Sequence, residues 1–266
     1  MNKITQFITY LFFVLIFFVT ESNGSIVILN GLTQENSVEP GSSYRGTIQL
    51  QNVGKAQKNV KVYLKDYWYS YTGESKHDPG GTLARSNANW ISYNPEILTL
   101  DSAEIATIDF EVTVPDNDSL RGTFWSVIMV EGIVEVDTAN RQQGVRINTA
   151  IRYAIQVISN VGSEGNSDLQ FLGMELARED SANILNVAIE NTGEWILRPE
   201  MSLELFDETG ATVSQIKGES RKTLPGTSVM SSLVLENIQA GKYTGVLVAD
   251  CGNDRLYGTN LSIEIE

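Results

Sequence analysis

The chain has 266 residues, 42% of them hydrophobic, with 22 glycines against six prolines and a net charge of −14. That length and apolar fraction suit two globular domains with cores of their own, and the composition excludes a proline-rich stalk. Residues 25–163 hold 11 basic and 15 acidic side chains and residues 164–266 hold 7 and 17, an acidic balance that argues against nucleic acid and anionic lipid as partners.

The chain opens with Lys3 and an apolar run at Tyr10–Val19 (YLFFVLIFFV), followed by Ser22-Asn23-Gly24. A run of about ten apolar residues is too short to span a bilayer as a helix and fits the core of a signal peptide. Residues 1–24 are therefore expected to be removed before Ser25. No cysteine follows the apolar run, so a lipid anchor is not expected, and no second run of spanning length follows. The expectation is an exported protein, soluble after cleavage, in the periplasm or at the cell surface of a bacterium.

Short β-patterned segments then recur with turn residues between them. Strands are expected at 26–29, 44–51, 60–68, 97–100, 105–114, 122–131 and 145–158. A second series is expected at 169–177, 184–190, 201–206, 212–216, 229–235, 242–249 and 255–265. In Glu104–Val114, Ala106, Ile108, Phe110, Val112 and Val114 alternate with Ile105, Thr107, Asp109, Glu111 and Thr113, which places the first set on a core face. No segment has a 3.6-residue apolar period. The expected fold is all-β: two tandem immunoglobulin-like β-sandwich domains after a signal peptide, at 25–160 and 166–266. Ser159–Ser167 (SNVGSEGNS) reads as the linker, being polar and rich in Gly, Ser and Asn.

The halves echo each other. Asn52-Val53-Gly54 and Asn191-Thr192-Gly193 each follow a strand, and positive φ at Asn or Gly would make each a tight turn. Thr99-Leu100 and Gly122-Thr123-Phe124 return as Thr223-Leu224 and Gly241-Lys242-Tyr243. The long connection Trp68–Trp90 breaks the rhythm. Tyr67, Trp68, Tyr69, Tyr71 and Trp90 around its Gly-rich middle either form an aromatic surface for peptide or cell-wall glycan, or Tyr67, Trp68 and Trp90 plug the end of the sandwich.

Catalytic chemistry finds little material. His77 is the single histidine, in a turn-rich loop beside Asp78-Pro79-Gly80-Gly81, and Cys251 is the single cysteine. Zinc sites and nucleophile–base pairs need clusters that this chain lacks, and no glycine-rich phosphate loop opens a helix. Asp116-Asn117-Asp118 lacks the glycine and distal glutamate of an EF-hand loop and reads as a turn. The expectation is a non-enzymatic protein with no cofactor and no metal.

Gly144–Ile158 (GVRINTAIRYAIQVI) is the segment best suited to carry function. Val145, Ile147, Thr149, Ile151, Tyr153, Ile155 and Val157 share one face, and Arg152 lies on the other. At a sheet edge such a strand offers backbone groups and apolar side chains for β-strand addition; inside a sheet it is a core strand.

Together with Asn89-Trp90-Ile91, Asn94-Pro95-Glu96-Ile97-Leu98-Thr99-Leu100 and Gly122-Thr123-Phe124-Trp125, this strand resembles the PapD-like periplasmic chaperones of pilus assembly over most of residues 25–158. The resemblance implies an envelope chaperone or adaptor whose partner is a secreted or surface protein subunit. That family anchors a carboxylate with an Arg in its first strand and a Lys in the last strand of domain one. Here Ser25–Asn30 contains no Arg and Ala154 stands at the Lys position, with Arg152 the nearest base. Pro40-Gly41, Gly46–Asn52, Val112–Pro115 and Leu120–Thr123 also resemble the peptidoglycan-binding domain of WxL-interacting cell-surface proteins. That resemblance implies, as the alternative, a structural surface protein binding cell-wall glycan or other surface components.

Overall fold

The computed structural model describes residues 26–133, 150–163, 165–179 and 182–265. The strands are β1 (Ile26–Ile28), β2 (Thr33–Val38), β3 (Ser43–Asn52), β4 (Lys58–Lys65), β5 (Trp68–Tyr69), β6 (Ser75–Lys76), β7 (Ile91–Asn94), β8 (Ile97–Leu100) and β9 (Ile105–Thr113). They continue with β10 (Gly122–Gly132), β11 (Arg152–Val161), β12 (Leu169–Glu179), β13 (Ala182–Asn191), β14 (Glu200–Phe206), β15 (Thr212–Lys217), β16 (Ser228–Leu235), β17 (Gly241–Asp250) and β18 (Leu256–Ile265). The fold is all-β, with two immunoglobulin-like sandwiches.

In the first sandwich the sheet β1-β3-β9-β7 faces the sheet β2-β11-β10-β4-β8. The alternation read in Glu104–Val114 has the expected sense, with Ile108, Phe110, Val112 and Val114 buried. They meet Val60, Val62, Ile128, Val130, Ile155 and Val157 from the facing sheet. In the second, β12-β13-β16 faces β15-β14-β17-β18 over Leu185, Val187, Leu203, Leu205, Leu233 and Leu247. Burial of apolar area, at about 25 cal/mol per Å², drives both closures.

Three local expectations are corrected. First, β2, β6 and β7 were not anticipated. Thr33–Val38 (TQENSV) has no apolar alternation, and it is a strand because β11 supplies its partner. Gly31, at φ +87°, turns the chain between β1, which pairs with β3, and β2, which pairs parallel with β11. Second, β11 spans Arg152–Val161, so Ser159, Asn160 and Val161 are buried strand and not linker. Their polarity is satisfied internally: Asn87 Nδ2 donates to Ser159 Oγ (3.0 Å) and Thr123 Oγ1 donates to Asn160 Oδ1 (2.6 Å).

Third, the repeated Asn-x-Gly turns do not work through positive φ, which none of their residues adopts. Each asparagine is fully buried. Asn52 Nδ2 donates to Ala56 O and Leu100 O, and Asn191 Nδ2 donates to Trp195 O and Thr223 O. The Oδ1 atoms accept from Gly54 and Gly193 N–H. A buried carboxamide that meets both its donor and acceptor needs clamps three chain segments at once.

Candidate functional site

β11 pairs antiparallel with β10 along Arg152–Val161, whereas β2 covers its other side only from Gln156 to Val161. Gln156 N–H donates to Leu32 O, at the point where β2 begins. Backbone groups alternate in direction along a strand. Those of Arg152 and Ala154 therefore point the same way as Gln156 N–H, to a side where no described strand lies. Among the described residues the N-terminal half of β11 has no neighbour on that side, and its C-terminal half is interior.

This divides the residues expected to bind a partner. Ile155 and Val157 are fully buried in the first core and Tyr153 is half-buried against it, so the side chains of Ile155 and Val157 are not available to a partner. The apolar face points inward because the opposing sheet covers it. Ile151 remains 43% exposed, and Arg152 projects from the opposite face. Val145, Ile147 and Thr149 lie outside the described residues, as does the expected signal peptide.

Arg152 Nε lies 2.9 Å from Glu131 Oε1, and Tyr63 OH donates to Glu131 Oε2 at 2.7 Å. The Tyr63 hydroxyl, the largest influence, holds the Glu131 carboxyl below its ordinary range against the opposing effect of burial, with the Arg152 guanidinium adding to the lowering. At the other end of the open edge sits Lys222, from the second sandwich. Its ammonium donates to Gln156 Oε1 and to Thr33 Oγ1 (3.3 Å). Burial lowers its pKa, and Glu35 partly offsets this. Glu35 itself pairs with Arg198 and accepts from Asn160 Nδ2. Sequence reading did not single out Lys222, because nothing local marks a lysine 66 residues from its acceptor.

The aromatic connection is not an open surface. Trp68 Nε1 donates to Gly226 O (2.7 Å), Tyr69 OH donates to Lys222 O (2.9 Å), and Tyr71 N–H donates to Ser228 Oγ (3.1 Å). These residues strap the first sandwich to the second. Trp90 turns the other way and packs on Phe124 with ring centroids 4.8 Å apart. Tyr67 stacks between Tyr69 and His77. Trp68, Tyr69 and Tyr71 thus lie at the junction of the two sandwiches, while Trp90 packs apart from them.

Beneath the strap, Trp125, Ile158, Ile196 and Leu224 form a buried cluster at the domain junction, with Tyr69 against it. Trp125 Nε1 donates to Tyr67 O (2.6 Å). Thr123 N–H donates to Glu194 O (2.7 Å), and Ile196 N–H donates to Thr123 Oγ1 (2.8 Å). Gly122, at φ +91°, is required here, since a Cβ would stand 2.4 Å from Glu194 O. Arg85 and Arg121 both reach the Glu194 carboxylate.

Among the described residues no group of three or more His, Cys, Asp or Glu is placed to hold a metal ion, and no helix is long and apolar enough to cross a membrane. No family model matches the chain and no curated protein matches it. Solved structures do resemble it. The class 5 fimbriae chaperone CfaA is 13% identical over 91% of this chain and 100% of its own, with a TM-score of 0.47. The chaperone YadV is 14% identical over 90% and 99%, with a TM-score of 0.45. The chaperone DraB of E. coli is 13% identical over 90% and 98%, with a TM-score of 0.42.

Proposed function

We propose that the protein is an exported, non-enzymatic chaperone or adaptor of the cell envelope. It holds a secreted or surface protein subunit by β-strand addition to the open half of β11. The observation that carries this reading is the abrupt end of β2 cover at Gln156, which leaves the outward backbone groups of Arg152 and Ala154 unpaired by any described strand. Exposed edges are normally blunted by proline, a bulge or a covering loop. Here the register with β10 is unbroken from 122 to 131, and the exposed Ile151 continues the apolar face beyond it. Backbone pairing would supply affinity, and the alternating faces would supply selectivity.

Proline at Arg152 tests this directly. The Arg152 N–H points away from β10, so Arg152→Pro removes no ladder bond within the sheet and blocks only an incoming strand. Arg152→Ala serves as the control for the lost guanidinium. The expected result is a folded Arg152→Pro protein that no longer retains its partner in a pull-down from the periplasmic fraction, while Arg152→Ala retains it. Retention by the proline variant would refute strand addition.

A further inference from the structure

We propose that the segment added at this edge alternates apolar and acidic side chains, and that Lys222 and Arg152 read the acids. This inference rests on the strand-addition reading and names the partner's chemistry.

The registers place Lys65, Val127 and Gln156 in one row across β4, β10 and β11, and Lys61, Glu131 and Arg152 in another. Residues paired across antiparallel strands share a face. Ile128 and Val130 belong to the core, so the face of Val127 and Glu131 is the outer one. Among the described residues the outer face of this sheet carries Lys61 and Lys65 on β4, Arg152 on β11 and the overlying Lys222, against Glu131, which Tyr63 and Arg152 engage, and Glu35 on β2, which Arg198 engages. The face is locally positive on a chain of net charge −14.

Lys222 is the telling member. Its half-buried ammonium has two neutral oxygens as hydrogen-bond acceptors, and the neighbouring Glu35 carboxylate is taken by Arg198. Among the described residues no carboxylate lies within ion-pair distance of it. A partly desolvated cation gains more from an arriving carboxylate than one in free water does. An ammonium has three donors, so one remains for that contact.

Geometry sets the spacing. Gln156, under Lys222, and Arg152 are four residues apart on one strand, about 13 Å. Because β2 already pairs at Gln156, an incoming strand can pair only beside Arg152 and Ala154, and acidic side chains two residues apart on its outer face would be carried toward Arg152 and Lys222. Its intervening side chains would face inward beside Ile151 and Tyr153, where apolar groups are favoured.

The test uses the full chain and three fluorescent nonapeptides with blocked termini, valine at odd positions and glutamate, serine or lysine at even ones. Anisotropy titration should show the glutamate peptide binding on the order of tenfold tighter than the serine peptide, with the lysine peptide weaker than both. The glutamate advantage should shrink at high salt and nearly vanish in Lys222→Met, with a Lys222→Gln variant as a second check. Equal affinity for the glutamate and serine peptides, both lost in Arg152→Pro, would overturn the acid preference and leave strand addition standing. Binding only when a peptide's C-terminus is left free would also overturn it, by assigning the cations to a chain end. No binding of any peptide would overturn both readings.

Discussion

Trp125 offers a quantitative test of how the two sandwiches are joined. It lies on β10, yet it points away from the first core and into the junction, where it is 3% exposed among Ile158, Ile196, Leu224 and Tyr69. Truncating a buried tryptophan to alanine costs about 3–5 kcal/mol through lost transfer energy and the cavity left behind. The orphaned Tyr67 carbonyl adds about 1 kcal/mol. Trp125→Ala should therefore destabilise the protein by about 4–6 kcal/mol, a large share of the roughly 5–15 kcal/mol typical of a domain. Because the cavity opens between the sandwiches and not inside one, the loss should fall on their coupling. Scanning calorimetry should show one transition for the native protein and two for Trp125→Ala, with β-sheet circular dichroism preserved before the first. Trp195 is only half-buried, so Trp195→Ala is the matched control, with a cost of about 1–2 kcal/mol. A single transition in Trp125→Ala, or a cost no greater than that of the control, would refute this account of the junction.

Asp66 is fully buried and accepts from Gly81, Thr82 and Leu83 N–H and from the Thr82 and Ser86 hydroxyls. Asp66→Asn turns an NH₂ toward those donors and should cost about 3 kcal/mol in urea unfolding, with earlier proteolysis at residues 79–86. Glu131 has a folded pKa held below its ordinary 4.5. Its stabilisation is thus complete above pH 4.5 and is lost as pH falls through the lowered folded value; Glu131→Gln should remove that part of the acid dependence of the urea midpoint and leave the slope above pH 5 unchanged. Burial pushes the Cys251 thiol up to about 11, which leaves about one thiolate in a thousand at pH 8. A thiol reagent should label Cys251 slowly in the native protein and fully in urea, and rapid native labelling would contradict its half-buried position.

Much of the strand inventory was legible because core strands announce themselves by period-2 apolarity. Ile105–Thr113 alternates over nine residues, and a one-residue slip would put its apolar face into water. The Gly122-Thr123-Phe124 stretch also stood out, although its reason did not: the glycine makes room for the Glu194 carbonyl of the other sandwich. What misled was polarity. Ser159 and Asn160 looked like linker, and they are buried strand, because side chains distant in sequence meet their hydrogen-bonding needs. Thr33–Val38 looked like loop for the same reason.

By itself the sequence determined the class of the molecule, its two sandwiches and the apolar face of the strand proposed to carry the site. Those properties follow from alternation and turn chemistry, which act over a few neighbouring residues. Only the tertiary structure decided where the described strands leave that strand without a neighbour. The edge exists because β2, more than a hundred residues earlier in the chain, stops pairing at Gln156. Lys222 stands beside it because the second sandwich is docked through Trp125, Thr123 and the Trp68–Tyr71 strap. Pairing partners and domain docking are contacts between distant segments. No local pattern of residues encodes which of a strand's two edges will be left without a neighbour.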